Sequence, residues 1–159
     1  MDQVGGRTLR RRGLEFRALT EGVGALIYAK DTQRYLFLLR GGPGSWSGTW
    51  GLPGGKINPG ETVAQGLERE ILEELGGTIL APKMVPIEMF TSNNEQFVYH
   101  TFFIAVDYEF VPVLNNEHNG YAWVPLSAIP KPTHPGVNRT FSSETIMAKI
   151  KVAEENCAS

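Results

Sequence analysis

The stretch GGKINPGETVAQGLEREILEELGG, residues 54–77, joins a glycine-containing loop to a segment rich in glutamate. Its second half predicts a helix that carries four glutamates within seven positions, Glu68, Glu70, Glu73 and Glu74. Glu70, Glu73 and Glu74 are spaced three and four apart, so they project from one face of the helix. Like charges at this spacing destabilise a helix by about 0.2–0.5 kcal/mol per pair. The pattern therefore needs a reason that lies outside the helix.

Local signals define both ends of this helix. Pro59 and Gly60 turn the chain, and Thr62 with Gln65 three residues later predicts a capping box. An apolar stripe follows at spacings of three and four, formed by Ala64, Leu67, Ile71 and Leu75. The Gly-Gly pair at 76–77 predicts the C-terminal stop.

A bound divalent cation would turn the repulsion among the three glutamates into attraction. Mg²⁺ and Mn²⁺ prefer hard oxygen ligands, and protein sites for Mg²⁺ combine a few carboxylates with substrate phosphates and water. Arg69, four residues before Glu73, is placed to orient a carboxylate or to offset its charge. The alternative is a solvated acidic face, the usual role of a run of charge. That alternative does not explain the glycine-rich loop immediately before the helix.

The spacing of the motif extends over the loop and the helix together. It runs from Gly55 over five residues to Glu61, and over seven more to REILEELG at 69–76. This pattern resembles the signature of the Nudix hydrolases, the MutT-like pyrophosphohydrolases, at every charged and glycine position. It departs from the family pattern at Gly77, where an apolar residue is usual. TWGLPGG (49–55) is also similar to the family, and the order of elements resembles it over residues 22–130.

The resemblance implies an α/β fold of the Nudix type, an α/β/α sandwich with a mixed β-sheet between helices. It also implies a site for Mg²⁺, with Mn²⁺ as a substitute. The ligands that it implies are the carboxylates of Glu70, Glu73 and Glu74 and the backbone carbonyl of Gly55. Glu61 would support the metal shell through water, and Arg69 would hold a glutamate in place during catalysis.

A further catalytic glutamate is expected far along the chain. Family members often take a metal ligand or general base from a distant loop, and LNNEHNG (114–120) offers Glu117 shortly before a Trp-Val pair. We predict a catalytic role for Glu117, with a surface acid as the alternative. His118 beside it is interpreted as a hydrogen-bonding loop residue rather than a base. If Glu117 is not the base, Glu73 or Glu74 must serve.

Three residues outside the motif are candidates for substrate binding. Arg40, at the end of the strand RYLFLLR (34–40), is placed to hold a phosphate, with a surface charge as the alternative. Trp46 lies in a loop without apolar neighbours, where it either stacks on a base or covers the core. The segment THPGVNRTF (133–141) is a candidate pocket wall, in which Asn138 or Phe141 would contact the base.

The order of strands and helices in the rest of the sequence predicts a mixed α/β domain. Strands are predicted at 25–29, 34–40, 95–110 and 121–125, an edge or bent strand at 78–90, a loop at 41–55 and a closing helix at 142–155 capped by Ser143. In the strongest strand, Phe97, Tyr99, Thr101 and Phe103 share one face, and His100 lies on the other. One of the two faces is a candidate wall of the nucleotide pocket, with core packing as the alternative.

Composition limits the remaining possibilities. The chain has 159 residues, of which 42% are hydrophobic and 20% charged, with a net charge of −2. These values are typical of one soluble domain. No apolar run approaches the roughly 18 residues of a membrane span, and no secretory signal is recognised. A single cysteine, Cys157, excludes an internal disulfide framework and favours a reducing, cytoplasmic location.

The charge is unevenly distributed along the chain. Residues 1–20 contain five arginines and carry +3, whereas the rest of the chain carries −5. We interpret residues 1–18 as a basic, flexible leader that precedes a single domain at 19–159. A basic arm of this kind permits contact with nucleic acid. The overall balance is not that of a dedicated nucleic-acid binder, which is expected to be basic.

The predicted function is Mg²⁺-dependent hydrolysis of the pyrophosphate bond in a small-molecule nucleotide. The preferred substrate is of the (d)NTP type, including oxidised nucleotides. Alternatives are a nucleoside diphosphate sugar, ADP-ribose or an RNA 5′ end, the last favoured only by the arginine-rich leader. A non-catalytic nucleotide-binding module is expected to have lost motif carboxylates, and this chain keeps all of them.

Overall fold

The computed structural model describes residues 9–12, 15–77, 79 and 83–158, with side chains from Leu19 onward. The strands are β1 Leu9–Arg12, β2 Glu15–Ala18, β3 Thr20–Ala29, β4 Arg34–Arg40, β5 Trp50–Gly51, β6 Gly54–Lys56, β7 Val85–Thr91, β8 Phe97–Val106 and β9 His118–Val124. The helices are α1 Val63–Leu75, α2 Pro135–Phe141 and α3 Glu144–Asn156, with a short 3₁₀ turn at Leu126–Ala128.

A mixed sheet forms the middle layer. Its strands lie in the order β5-β4-β3-β8-β7, with β6 paired to β3 and β9 paired to β4. β3 and β8 are parallel, from Thr20 opposite Phe97 to Ala29 opposite Val106, and the other pairs are antiparallel. Because side chains alternate between the two faces of a strand, β3 and β8 contribute to the packing on both sides of the sheet.

Helices cover both faces of this sheet. Leu67, Ile71 and Leu75 of α1 pack on one face in a core that includes Val23, Ala25, Ile27, Leu36 and Ile104. α2 and α3 pack on the other face in a second core that includes Leu26, Phe37, Phe103, Val137, Ile146 and Ile150. This arrangement confirms the predicted α/β/α sandwich with a mixed sheet between helices.

The motif helix α1 begins and ends as predicted. Gln65 N donates to Thr62 Oγ1 at 3.1 Å, and Thr62 N donates to Gln65 Oε1 at 2.9 Å, which completes the capping box. The C-cap residue Gly76 has a φ of 71°, a backbone conformation that favours glycine. The predicted apolar stripe is wrong at Ala64, which is exposed. The first turn buries Gly66 instead, close to Ile57.

Two segments predicted as loops contain regular structure. The predicted loop 41–55 includes β5 and the first two residues of β6. These strands form because they pair with β4 and β3 rather than through local propensity. The predicted irregular segment 126–139 includes most of α2. His134 caps this helix through a hydrogen bond from Gly136 N to its Nδ1 at 3.0 Å, and Pro135 occupies the first helical position, where proline is favoured.

The remaining elements differ from the predictions mainly at their ends. β7 is an edge strand with an irregularity between Pro86 and Glu88, as its prolines indicate. β9 begins at His118, inside the predicted loop, because its pairing with β4 extends to Arg40. The Ser143 side chain accepts from Ile146 N and caps α3, as predicted.

The first two strands form a separate antiparallel pair, with Leu9 opposite Ala18. The predicted leader falls partly at residues 1–8 and 13–14, which lie outside the described residues, and the division of the chain at residue 18 stays a prediction. In the described part of the chain, no helix has the length and apolar character needed to cross a membrane.

Candidate active site

The motif glutamates face the short strand β6. Gly54 N donates to Glu74 Oε1 at 2.7 Å. A Cβ atom on Gly55 would lie 2.5 Å from Glu70 Oε2, so only glycine allows this carboxylate to approach the backbone. Pairing with β3, in which Val23 is opposite Gly55, fixes the position of β6. The structure therefore brings Gly55, Glu70 and Glu74 together.

Arg69 connects the other motif glutamates to β6. Its Nε donates to Glu61 Oε2 at 2.7 Å, and its Nη1 donates to Glu70 Oε1 at 2.8 Å and to Glu73 Oε1 at 3.3 Å. Nη2 donates to the carbonyl of Lys56 at 2.8 Å. The hydrogen bonds to these carboxylates, first of all to Glu61, raise the pKa of the Arg69 guanidinium. A permanently charged arginine thus orients three glutamates at once.

The three glutamates of the predicted metal-binding face differ in how deeply they are buried. Glu74 is 2% exposed and Glu70 8%, whereas the Glu73 side chain is 49% exposed. Burial raises the pKa of Glu74 to about 9, against the opposing effect of the hydrogen bond from Gly54. Burial also raises the pKa of Glu70, against the effect of Arg69. A nearby cation would favour the charged form of both carboxylates.

These residues fit a hard divalent cation. Within residues 9–12, 15–77, 79 and 83–158, no three acidic, histidine or cysteine side chains stand close enough to hold a metal in their present positions. Arg69 holds Glu70 and Glu73, and Gly54 N holds Glu74. The fit rests on the oxygen donors, on the two buried carboxylates and on the glycine that admits one of them to the backbone.

The loop before β9 places Glu117 beside the end of β4. Gly41 N donates to the carbonyl of Glu117 at 2.9 Å. Its side chain is exposed. After burial, which is the main cause in both cases, the charge of Glu117 adds to the raised pKa of Glu70 and of Glu74. The predicted catalytic glutamate therefore lies within electrostatic reach of two motif carboxylates.

The prediction of His118 as a hydrogen-bonding loop residue is wrong, because His118 is the first residue of β9 and its side chain is buried. Its side chain is 7% exposed, and its Nδ1 lies 3.9 Å from Glu74 Oε2. This nitrogen has no hydrogen-bond partner among the described residues. Burial, followed by the positive charge of Arg40, lowers the pKa of His118 to about 4. A neutral imidazole therefore adjoins the most deeply buried glutamate of the motif.

A cavity of about 350 Å³ lies on the α2 side of the sheet and shares β6 with the motif glutamates. All three residues of β6 line it, together with Arg40 from the end of β4. Burial first, and then the positive charge of Arg40, lower the pKa of His118, whereas at Glu74 burial raises the pKa and Arg40 is one of the smaller opposing effects. A ligand that fills this cavity would therefore lie next to the carboxylates.

The three predicted substrate-binding residues lie at different positions relative to the cavity. Arg40 lines the cavity. Trp46 is exposed, and its ring packs edge-on against His134, a lining residue, with ring centroids 5.7 Å apart. Asn138 is exposed and does not line the cavity, whereas the next residue, Arg139, does. The structure therefore brings Arg40 to the site, places Trp46 beside it and leaves Asn138 outside.

Phe97, Tyr99 and Thr101, which the alternation in β8 places on one face, line the cavity. Gly22 and Gly24 lie beside Tyr99 and Thr101 in the sheet, and the space above these glycines holds the Tyr99 ring. Arg139 had no usable signal, because α2 itself was not predicted.

We expect Gly55→Ala to destabilise the protein and weaken Mg²⁺ binding. The new Cβ would lie 2.5 Å from the Glu70 carboxylate, which would have to leave the position in which Arg69 holds it. Loss of a hydrogen bond to a charged group costs about 1.5–3 kcal/mol. Gly77→Ala is the matched control, because a Cβ at Gly77 meets nothing within 4 Å. Thermal denaturation and calorimetric Mg²⁺ titration provide the readouts. A Gly55→Ala protein that matches Gly77→Ala in both would contradict the described contact.

Comparison with known proteins supports the same family. A model of the NUDIX domain matches residues 18–144. The nucleoside triphosphatase NudI of Salmonella paratyphi B is 31% identical over 91 residues, a match that covers 51% of this chain and 64% of the relative. The protein of the same name from Escherichia fergusonii is 32% identical, with the same coverage. The chain thus spans 64% of the length of these curated relatives.

Solved structures share the fold. The MutT NUDIX hydrolase from Burkholderia pseudomallei is similar with a TM-score of 0.64 and 26% identity, covering 77% of this chain and 95% of that chain. The E. coli dihydroneopterin triphosphate pyrophosphohydrolase shares the fold with a TM-score of 0.63 and 24% identity, covering 80% and 92%. The family match over most of the chain agrees with the motif in 54–77 and with the sandwich fold, and the chain belongs to the NUDIX family.

Proposed function

We propose that this chain catalyses Mg²⁺-dependent hydrolysis of the pyrophosphate bond of a nucleoside polyphosphate, with a (d)NTP-type substrate that includes oxidised nucleotides. The observation that carries the proposal is the position of β6. Gly54 and Gly55 contact Glu74 and Glu70, and the same two glycines line the cavity. A nucleotide whose base occupies the cavity would place its phosphates beside the motif carboxylates.

The motif supplies the residues for the metal. Glu70, Glu73 and Glu74 would hold Mg²⁺ together with the carbonyl of Gly55, and Glu61 would support them from the loop. When bound, Mg²⁺ neutralises charge on the phosphate oxygens and lowers the pKa of a coordinated water. Arg69 keeps the carboxylates directed toward β6 through charged hydrogen bonds, which are stronger than neutral ones.

Residues outside α1 would accept the proton of the attacking water and bind the phosphates of the substrate. Glu117 is exposed beside the motif, where its carboxylate can take the proton of the attacking water, which requires only hydrogen-bond reach. Glu74 is less suited to this role, because it is buried and bound to Gly54 N. Arg40 lines the cavity together with the residues of β6, and its guanidinium would bind a phosphate of the substrate.

The relatives favour the triphosphate class. The NudI proteins are named as nucleoside triphosphatases, and a structural neighbour is named as a dihydroneopterin triphosphate pyrophosphohydrolase. Another neighbour, at 20% identity, is a NUDIX domain in complex with ADP ribose, so ADP-ribose belongs in any substrate test. A cytoplasmic location, where free nucleotides are present, is part of the proposal.

The test is a hydrolysis screen with and without Mg²⁺, in which all products are identified by chromatography. The panel contains (d)NTPs, 8-oxo-dGTP, ADP-ribose, a nucleotide sugar, NADH, a dinucleoside polyphosphate and a 5′-triphosphorylated RNA. We expect Mg²⁺-dependent cleavage of (d)NTPs to a nucleoside monophosphate and pyrophosphate. Cleavage of another member alone would correct the substrate class, and no Mg²⁺-dependent cleavage of any member would contradict the proposed reaction.

A further inference from the structure

The end of the cavity away from β6 carries a polar cluster that the proposed reaction does not use. The strands that form the cavity floor lie in the order β6-β3-β8-β7. The cavity thus extends from the motif glutamates, beside β6, across the sheet toward β7. On β7, Glu88 lies opposite Thr101 of β8. Together with Arg139 and Thr140 of α2, these two residues form the polar cluster.

Arg139 is fixed within this cluster from two sides. Its Nη1 donates to Glu88 Oε2 at 2.7 Å, and the guanidinium lies 3.8 Å from the ring centroid of Phe90. Thr140 Oγ1 donates to the other oxygen of Glu88 at 2.8 Å, which orients the carboxylate. Arginine has five N–H donors, and the bond to Glu88 uses one of them. The held guanidinium lines the cavity with further donors.

Thr101 shows that the cavity suits a polar ligand. The residue is 0% exposed and lines the cavity. Its Oγ1 has no hydrogen-bond partner among the residues that the structure describes. An unsatisfied buried hydroxyl costs about 1–3 kcal/mol. Because Thr101 has no exposed surface in the unliganded protein, a ligand with a donor or acceptor would recover that free energy once the neighbouring lining side chains move to admit it. The hydroxyl can serve either role.

Aromatic rings provide a surface for stacking beside the cluster. Phe97 and Tyr99 line the cavity with ring centroids 6.1 Å apart and planes inclined by 31°. Tyr99 lies against Gly22, where a Cβ would approach its ring to 2.9 Å. The glycine therefore lets the tyrosine ring lie close to the sheet. Stacking of a base on an aromatic side chain contributes about 1–3 kcal/mol.

We propose that this cluster binds the base of the substrate and that Arg139 makes the enzyme prefer a 6-oxopurine, such as guanine or hypoxanthine, over adenine. The inference rests on the proposed function for the phosphate end of the site. Arginine donates hydrogen bonds to O6 and N7 of guanine, whereas adenine presents an amino donor at the same edge. Glu88 acts as the positioning residue for Arg139.

The kinetic test compares dITP with dATP, whose bases have similar size and differ at the C6 edge. We expect the wild-type protein to prefer dITP by about tenfold or more in kcat/KM, the discrimination typical of such contacts. Arg139→Met should bring the ratio close to 1, mainly by raising KM for dITP. The control is Arg34→Met, which removes an arginine paired with Glu109 outside the cavity lining and should keep the wild-type ratio. A wild-type ratio near 1, or one that Arg139→Met leaves unchanged, overturns the inference.

A binding test separates this inference from the proposed reaction. Calorimetry with dIMP and dAMP in metal-free buffer measures base recognition without hydrolysis. Selective binding of dIMP that Arg139→Met abolishes supports the inference even if no triphosphate is hydrolysed, a result that would contradict only the proposed reaction. Equal binding of the two monophosphates, or binding of neither, overturns the inference.

Thr101→Val provides a second variant in case Arg139→Met does not fold. It keeps the shape of the side chain and removes only the hydroxyl that lacks a partner among the described residues, so the thermal midpoint should not fall. We expect weaker binding of dIMP by several-fold. Unchanged dIMP affinity in a folded Thr101→Val protein would overturn the role of the cluster.

Discussion

Glu74→Gln is expected to remove most of the Mg²⁺-dependent hydrolysis while making the metal-free protein more stable. The carboxylate is the most deeply buried of the motif and lies next to β6, so an amide there would lose a charged metal ligand and retain the shape. Loss of several kcal/mol of transition-state stabilisation corresponds to a drop of about a thousandfold, at ~1.36 kcal/mol for each factor of ten.

The stability gain has a defined pH dependence. Burial raises the pKa of Glu74 from 4.5 to about 9, so the folded protein keeps a proton that the unfolded chain releases. This contribution to stability is complete below about pH 4.5 and is lost as the pH rises toward 9. Glutamine needs no proton. The advantage of the variant should therefore be absent near pH 4.5 and should exceed about 1 kcal/mol at neutral pH, or ~2–4 °C in Tm.

Thermal denaturation in chelator at several pH values, together with steady-state rates, measures both effects. Glu68→Gln is the matched control, because it makes the same chemical change at an exposed position of the same helix and should alter neither quantity. A Glu74→Gln protein with wild-type Mg²⁺-dependent rates, or with lower stability than wild type at neutral pH, would contradict this account of the buried glutamate.

Glu117→Gln is expected to lower kcat by about 10²–10⁴, the usual contribution of a general base, with little change in stability. The contacts described for Glu117 involve its backbone: the N–H donates to Asn115 Oδ1 at 3.0 Å, and the carbonyl accepts from Gly41 N at 2.9 Å. The substitution leaves these contacts in place, so the loop should keep its position. The loss should therefore appear in kcat rather than in Tm or KM.

Calorimetric titration with Mg²⁺ shows which role Glu117 has. Replacement of a general base leaves the affinity for Mg²⁺ unchanged, whereas replacement of a metal ligand lowers that affinity. Glu155→Gln, at an exposed position of α3, is the control for a change of charge alone. A Glu117→Gln protein with wild-type kcat would move the role of base to Glu73 or Glu74, and Glu73→Gln would then be the next variant to measure.

The motif helix could be predicted because its signals are local. The capping box at Thr62 and the stop at Gly76 each depend on residues within one turn. The contacts of Arg69 show which contacts the local spacing of residues predicts and which it does not. The contact with Glu73 follows from the i, i+4 spacing, but those with Glu61 and the Lys56 carbonyl depend on how the preceding loop folds back.

The far end of the cavity could not be predicted, because it depends on contacts between elements distant in the chain. Glu88 and Arg139 are 51 positions apart and meet only because α2 packs on the sheet beside β7. α2 has seven residues and follows a proline-rich stretch, so periodicity alone does not identify it. Asn138 was the candidate in this segment, but the helix presents Val137, Arg139 and Thr140 to the cavity instead.

We propose that the buried glutamates of α1 serve Mg²⁺-dependent cleavage of a nucleotide. The most direct test of this claim is a Mg²⁺ titration of the initial hydrolysis rate, with wild type and Glu74→Gln measured side by side and the products identified. We predict a saturable rise for wild type, background rates in chelator, and a flat response for Glu74→Gln. Hydrolysis by wild type that does not depend on Mg²⁺, or the same Mg²⁺ response in both proteins, would contradict the claim.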